Sequence, residues 1–220
     1  MDQELKKHVT KTGTTTVGIV CKDGIVIAAD KRATYGGDSG VSYIAGKDQN
    51  KIFEVNEDLI VTVAGVASDT RKLIKIVRAE LKLKELKAKS KPTIKQAANL
   101  FSSLAYQNIR QPSMIPAITH FLLGGKDSEG FYLYDVAPDG FLIEGEDFAA
   151  TGSGMIHCNP ILDSEYKEGM TLDEGKQEVM IRALSDYGGE AYQQGDIKSA
   201  MEAFDLVKEL KDRGVNESCE

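Results

Sequence analysis

Gly13-Thr14-Thr15-Thr16 is where the sequence holds most chemistry. A threonine hydroxyl inside a chain is a weak nucleophile, because nothing beside it takes its proton. If the bond after Gly13 is cut, Thr14 becomes a first residue and its hydroxyl gains a neighbouring free α-amine. One residue then supplies both nucleophile and base. The plain alternative is an edge strand, since β-branched residues suit pleated backbone. Further on, Asp30 closes "GIVIAAD", Lys51 opens "KIFEV", Gly65 ends "LIVTVAG" and Ser153 sits in "TGSG". Taken singly, these read as a turn aspartate, a solvated lysine, a strand-ending glycine and a Gly-Ser-Gly turn. Cys21, Cys158 and Cys219 are far apart, and so are His8, His120 and His157. They make neither a metal-ligand spacing nor a disulfide framework. The expectation is a reducing cytoplasm, with no metal and no cofactor.

Strands must position these residues. Runs 14–21 and 24–30 flank Lys22-Asp23-Gly24, a hairpin signal. Runs 51–55 and 59–65 form a second pair. Both are too apolar for a sheet with one wet face, so covered sheets are expected. Ser68 or Asp69 is expected to cap a long helix, with Leu73, Ile76, Val77, Leu81 and Leu83 at helical spacing and a basic far end. Pro92-Thr93 opens a second helix to about Arg110, with Ala97, Leu100, Leu104 and Ile109 inward. Strands 117–125 and 130–136 follow, then two short strands and a glycine turn. From 158 the pattern is helical, with Thr171 as an N-cap. Strands cluster away from helices, which predicts an α+β sandwich: two sheets face to face, with a helix pair outside each.

The chain has 220 residues, 41% of them hydrophobic, which fits one domain with a sizeable core. A net charge of -7 argues against nucleic-acid binding. No apolar run approaches the ~18 residues of a membrane span. Residues 1–13 lack the apolar stretch of a secretory signal.

"GTTTVGI", "GIVIAADKRAT", "NKIF", "VAGVASDT", "ATGSG" and "MTLDEG" occur in the order seen in proteasome β subunits, and the chain resembles the archaeal type over roughly residues 10–184. The resemblance implies the four-layer αββα sandwich of N-terminal-nucleophile hydrolases, a propeptide over 1–13 and a hydrolase domain over 14–190. It implies self-cleavage between Gly13 and Thr14 and threonine endopeptidase activity on unfolded polypeptide. By the same resemblance Thr14 attacks, Lys51 lies beside it, Asp30 pairs with Lys51 and Ser153 lies near the Thr14 amine. The Gly65 N–H would be the oxyanion donor. The released α-amine, intrinsically less basic than a lysine, would carry the proton. Thr34 and Gly65 would pair with an extended substrate. Ala33, Val63 and Ala67 would line an apolar P1 pocket, with Phe53 near it. Implied partners are other β subunits in a ring, α subunits and, indirectly, an ATP-dependent unfoldase. A noncatalytic structural β-like subunit is the alternative.

Two places depart from the family. "YGGDSGVSYIAGKDQN" between Thr34 and Lys51 is several residues long for it, and its Gly-Gly-Asp-Ser-Gly core reads as a loop tip. After "RALS" the expected Arg-Asp-x-x-Ser-Gly is absent, and Ser185 and Asp186 come too early to replace it. Residues 191–220 read as a diverged tail. Within it, Ile197, Ala200, Met201, Phe204 and Val207 predict an amphipathic helix over 196–212.

Overall fold

The computed structural model describes residues 14–31, 33–36, 42–46, 48–114, 116–176 and 207–211. The hairpin expected around Asp23 forms. Strands β1 (Thr15–Cys21) and β2 (Gly24–Ala29) pair antiparallel, with Cys21 opposite Gly24. The extra stretch after Thr34 contributes a separate ribbon of β3 (Ala33–Gly36) and β4 (Ser42–Gly46). A five-stranded antiparallel sheet follows the chain: β5 (Ile52–Asn56), β6 (Leu59–Gly65), β7 (Thr119–Lys126), β8 (Phe131–Val136) and β9 (Leu142–Gly145). The other sheet is completed on one side by β10 (Phe148–Gly152) and on the other by β11 (Val207–Lys211), in the order β10-β1-β2-β11.

Apolar side chains assemble these into four layers. Ile25, Ile27 and Ala29 of β2 meet Ile52, Ile60, Leu122 and Leu133 of the five-stranded sheet, so the sheets pack face to face. Helices α1 (Ala67–Ala88) and α2 (Ile94–Ile109) cover the outer face of that sheet, where Phe101 meets Phe121 with ring centroids 5.0 Å apart. Each such fully buried side chain contributes ~1.5–3 kcal/mol. Helix α3 (Met155–Glu165) and the short α4 (Leu172–Glu174) cover Val17, Ile19 and Val26 on the other side. The expected αββα sandwich is what forms.

Details differ where tertiary packing outweighs local pattern. Helix α1 starts earlier than Ser68 or Asp69 would cap it: Val66 is the N-cap, without a side-chain bond, and Asp69 lies in the first turn. Its core stripe is Thr70, Leu73, Ile74, Val77 and Leu81, while Leu83 is 44% exposed. Thr93 does cap α2, accepting from Gln96 N. Ala98, Phe101 and Ala105 fill the core there, while Leu100 and Leu104 are only partly buried, because the sheet fixes the helix rotation. Thr171 caps α4 in a capping box with Glu174.

The tail helix is overturned at residues 207–211. That segment is β11, paired antiparallel with β2 from Val207 opposite Ala28 to Lys211 opposite Gly24. The reason lies in β2. Without β11 the outer edge of β2 would present a row of N–H and C=O groups with no strand partner. Backbone pairing there outweighs a helical side-chain period. The rest of the expected helix, 196–206 and 212, lies outside the described residues, as does all of 177–190.

Two buried thiols give a measurable consequence. Burial pushes Cys158 up from 9.0 to about 11, and burial with nearby Asp23 and Glu174 does the same to Cys21. Below pH 9 both the folded and the unfolded chain keep these protons. Between 9 and 11 the unfolded chain releases protons that the folded chain retains, so stability falls as pH rises. The melting temperature should therefore drop across that window. Native alkylation of both thiols should be roughly a hundredfold slower than in denaturant. A flat melting curve, or fast native alkylation at Cys21 and Cys158, contradicts this.

Candidate active site

A tight hairpin places the residue before β1 near the residue after β2. Thr14 and Asp30 are those residues, both 5% exposed. Asp30 Oδ1 accepts from Thr15 N at 2.8 Å, and Asp30 N donates to Thr15 O at 3.1 Å. The carboxylate is thus fixed by backbone on the strand that carries the hydroxyl. Lys51 comes from the opposite sheet, immediately before β5. Its carbonyl accepts from Val63 N at 3.0 Å, which ties it to β6. Arg78 of α1 also grips β5, donating to Glu54 O.

Lys51 Nζ donates to both Asp30 oxygens at 2.8 Å and to Thr14 Oγ1 at 3.0 Å. The Lys51 and Asp30 side chains are only 10% and 6% exposed. A buried ion pair holds up only with good geometry and further hydrogen bonds, and both are present here. The direction of donation matters. An ammonium that donates to Thr14 Oγ1 has no lone pair for its proton, but it does stabilise negative charge growing on that oxygen.

The third side of Thr14 is the turn after β10. Thr14 N donates to Ser153 Oγ at 3.3 Å, and Ser153 Oγ donates to Thr14 O at 3.4 Å. Gly154 N donates to the same carbonyl at 3.2 Å. The antiparallel β1–β10 register, with Thr15 opposite Gly152, delivers this turn. One step deeper, the buried hydroxyls of Thr16 and Thr151 bond across the strands at 2.6 Å. Neither the Gly154 N–H nor the Thr16–Thr151 pair was foreseen in the sequence. Only the pairing of β1 with a strand far along the chain reveals them.

Gly65 ends β6, directly before the N-cap of α1, at φ +106. A Cβ there would lie 2.2 Å from Ile118 O, so the position admits only glycine. Thr34 lies in β3 opposite Ile44, and Ala33 is half-buried at the start of that strand. Val63 is buried in the helix–sheet core with Phe53 packed against it, and Ala67 is exposed as the first residue of α1. Clefts of about 260 and 520 Å³ lie along α1 and hold none of these residues. Gly13 and the rest of 1–13 are outside the described residues. Among the described residues no group of histidine, cysteine and carboxylate side chains fits a metal ion, and no helix is long and apolar enough to cross a membrane.

Residues 10–200 match the family model described as proteasome subunit. The proteasome subunit beta of Archaeoglobus fulgidus is 37% identical over 172 residues, 78% of this chain and 76% of the relative. That of Methanopyrus kandleri is 38% identical over 172 residues, 78% of each chain. That of Archaeoglobus profundus is 34% identical over 209 residues, 95% of this chain and 89% of the relative. With the sheets, the outer helices and the Thr14 environment in place, the chain belongs to the proteasome subunit family, among its β subunits, and has their N-terminal-nucleophile hydrolase fold.

Proposed function

We propose that this chain is a threonine endopeptidase subunit of a proteasome core particle, which cuts unfolded polypeptide into peptides after cleaving itself between Gly13 and Thr14. The observation that carries the reading is Lys51 Nζ, 3.0 Å from Thr14 Oγ1 and 2.8 Å from both oxygens of a buried Asp30. In self-cleavage, Thr14 Oγ1 attacks the Gly13 carbonyl carbon and the C–N bond to Thr14 breaks. The resulting ester is then hydrolysed by water, leaving a Gly13 carboxylate and a free Thr14 amine. In peptide hydrolysis the same oxygen attacks the substrate carbonyl, and the α-amine takes the hydroxyl proton. The proton passes to the leaving amine, and water releases the acyl group from Oγ1. Lys51 offsets the charge on Oγ1, the Gly65 N–H bonds the oxyanion, and Ser153 orients the α-amine. Backbone at Thr34 and Gly65 holds the substrate as a strand, and Ala33, Phe53, Val63 and Ala67 give an apolar P1 preference.

The chain assembles with other proteasome subunits: β subunits in a ring, α subunits above it, and an ATP-dependent unfoldase that feeds it, in the cytoplasm. Intact mass and N-terminal sequencing of the assembled particle test the reading, together with hydrolysis of a fluorogenic peptide bearing a large apolar P1 residue. A chain that begins at Thr14 and turns over the peptide is expected. Assembled particles that retain Met1 and do not hydrolyse the peptide would instead identify a structural subunit.

A further inference from the structure

Gly152 takes no part in the chemistry just described, yet it lies against the residue that does. It is the last residue of β10, at φ +84, opposite Thr15. A Cβ on it would lie 2.2 Å from Thr14 O, 2.9 Å from Thr14 C and 3.4 Å from Thr14 Cβ. The first two are backbone atoms, so no side-chain rotation relieves the contact. Two donors converge on that same carbonyl, Gly154 N at 3.2 Å and Ser153 Oγ at 3.4 Å. Both reach it only because the chain at 152 comes so close.

We propose that Gly152 is a positioning residue of the nucleophile: its missing side chain lets the 152–154 turn seat the Thr14 carbonyl and so sets Thr14 Oγ1 at hydrogen-bond distance from Lys51 Nζ. The proposal rests on the endopeptidase reading for its kinetic consequence. Any side chain at 152 pushes Thr14 off its seat while Asp30, held to Thr15 N, and Lys51 stay where their own elements put them. A misplacement on the order of 1 Å costs about 10²-fold in rate.

Positive φ gives a competing explanation for the glycine, and three variants separate the two. Asparagine tolerates positive φ but brings a Cβ. Gly169 has φ +77 with nothing within 4 Å of an added Cβ, so Gly169→Ala carries the backbone strain without the collision. In the full chain, kcat is expected to fall about 10²-fold in both Gly152→Ala and Gly152→Asn, with KM within roughly twofold of wild type, and Gly169→Ala to keep its rate. The wild-type rate itself decides the endopeptidase reading; the ratios to it decide the role of Gly152. A crystal structure of Gly152→Ala reads the same point without activity, and the Lys51 Nζ to Thr14 Oγ1 distance should open beyond hydrogen-bond reach from 3.0 Å. Recovery of rate in Gly152→Asn, an unchanged distance in Gly152→Ala, or failure of both Gly152 variants to fold would each overturn the proposal.

Discussion

Thr14→Ala is expected to yield a chain of full-length mass with no measurable peptide hydrolysis, a loss of at least about 10³-fold. On the endopeptidase reading one oxygen serves both reactions, so both must fail together. The seat around Thr14 is otherwise independent of the hydroxyl: Thr14 N and O are held by Ser153 and Gly154, and Thr15 by Asp30. The variant should therefore fold and assemble, which makes mass and rate interpretable. Thr14→Ser keeps an oxygen at the same position and should retain part of both reactions. Removal of residues 1–13 in Thr14→Ala, in particles with no active neighbour, would sink the self-cleavage assignment.

Lys51→Ala should lose about 10²–10⁴-fold in rate, at least as much as Ser153→Ala. Lys51 donates directly to Thr14 Oγ1, whereas the bonds of Ser153 to Thr14 are to its backbone N and O. The substitution has a second cost. It strips the cation from a carboxylate that is 6% exposed, and breaking a buried pair this way destabilises by about 3–5 kcal/mol. The two costs separate in the Asp30→Asn/Lys51→Ala double variant. Asparagine still offers an oxygen to Thr15 N but carries no charge, so melting temperature should recover while activity should not. Near-wild-type hydrolysis by folded Lys51→Ala would make the lysine a structural partner of Asp30 and nothing more.

Taken singly, Thr14, Asp30, Lys51 and Ser153 read as ordinary strand-end and turn residues. Their meeting was legible only through their order in a family. Hairpin logic alone brings Asp30 beside Thr14, since the loop between β1 and β2 is short. It says nothing about Lys51, which arrives from the other sheet, or about β10, whose register with β1 depends on pairing across most of the chain. The α1 start was misread because local capping chemistry favoured Ser68 and Asp69, while the tight turn at Gly65 fixed the actual beginning. The tail was misread for a related reason. Spacing in 196–212 reports side-chain faces, whereas the demand met by 207–211 comes from the backbone of β2.

That last pairing bears on the order of events as the chain is made. β2 is among the first strands to leave the ribosome, and its outer partner, opposite Ala28 from Val207 onward, is among the last described segments. At ~5–20 residues per second, the outer edge of β2 waits on the order of 10–40 s for its neighbour. The sheet that carries Thr14 is therefore finished late, and a nucleophile set by that sheet stays unformed while most of the polypeptide is still emerging. A ribosome-bound nascent chain truncated before 207 should keep its first thirteen residues. On the endopeptidase reading, that delay would hold self-cleavage back until the sheet is complete.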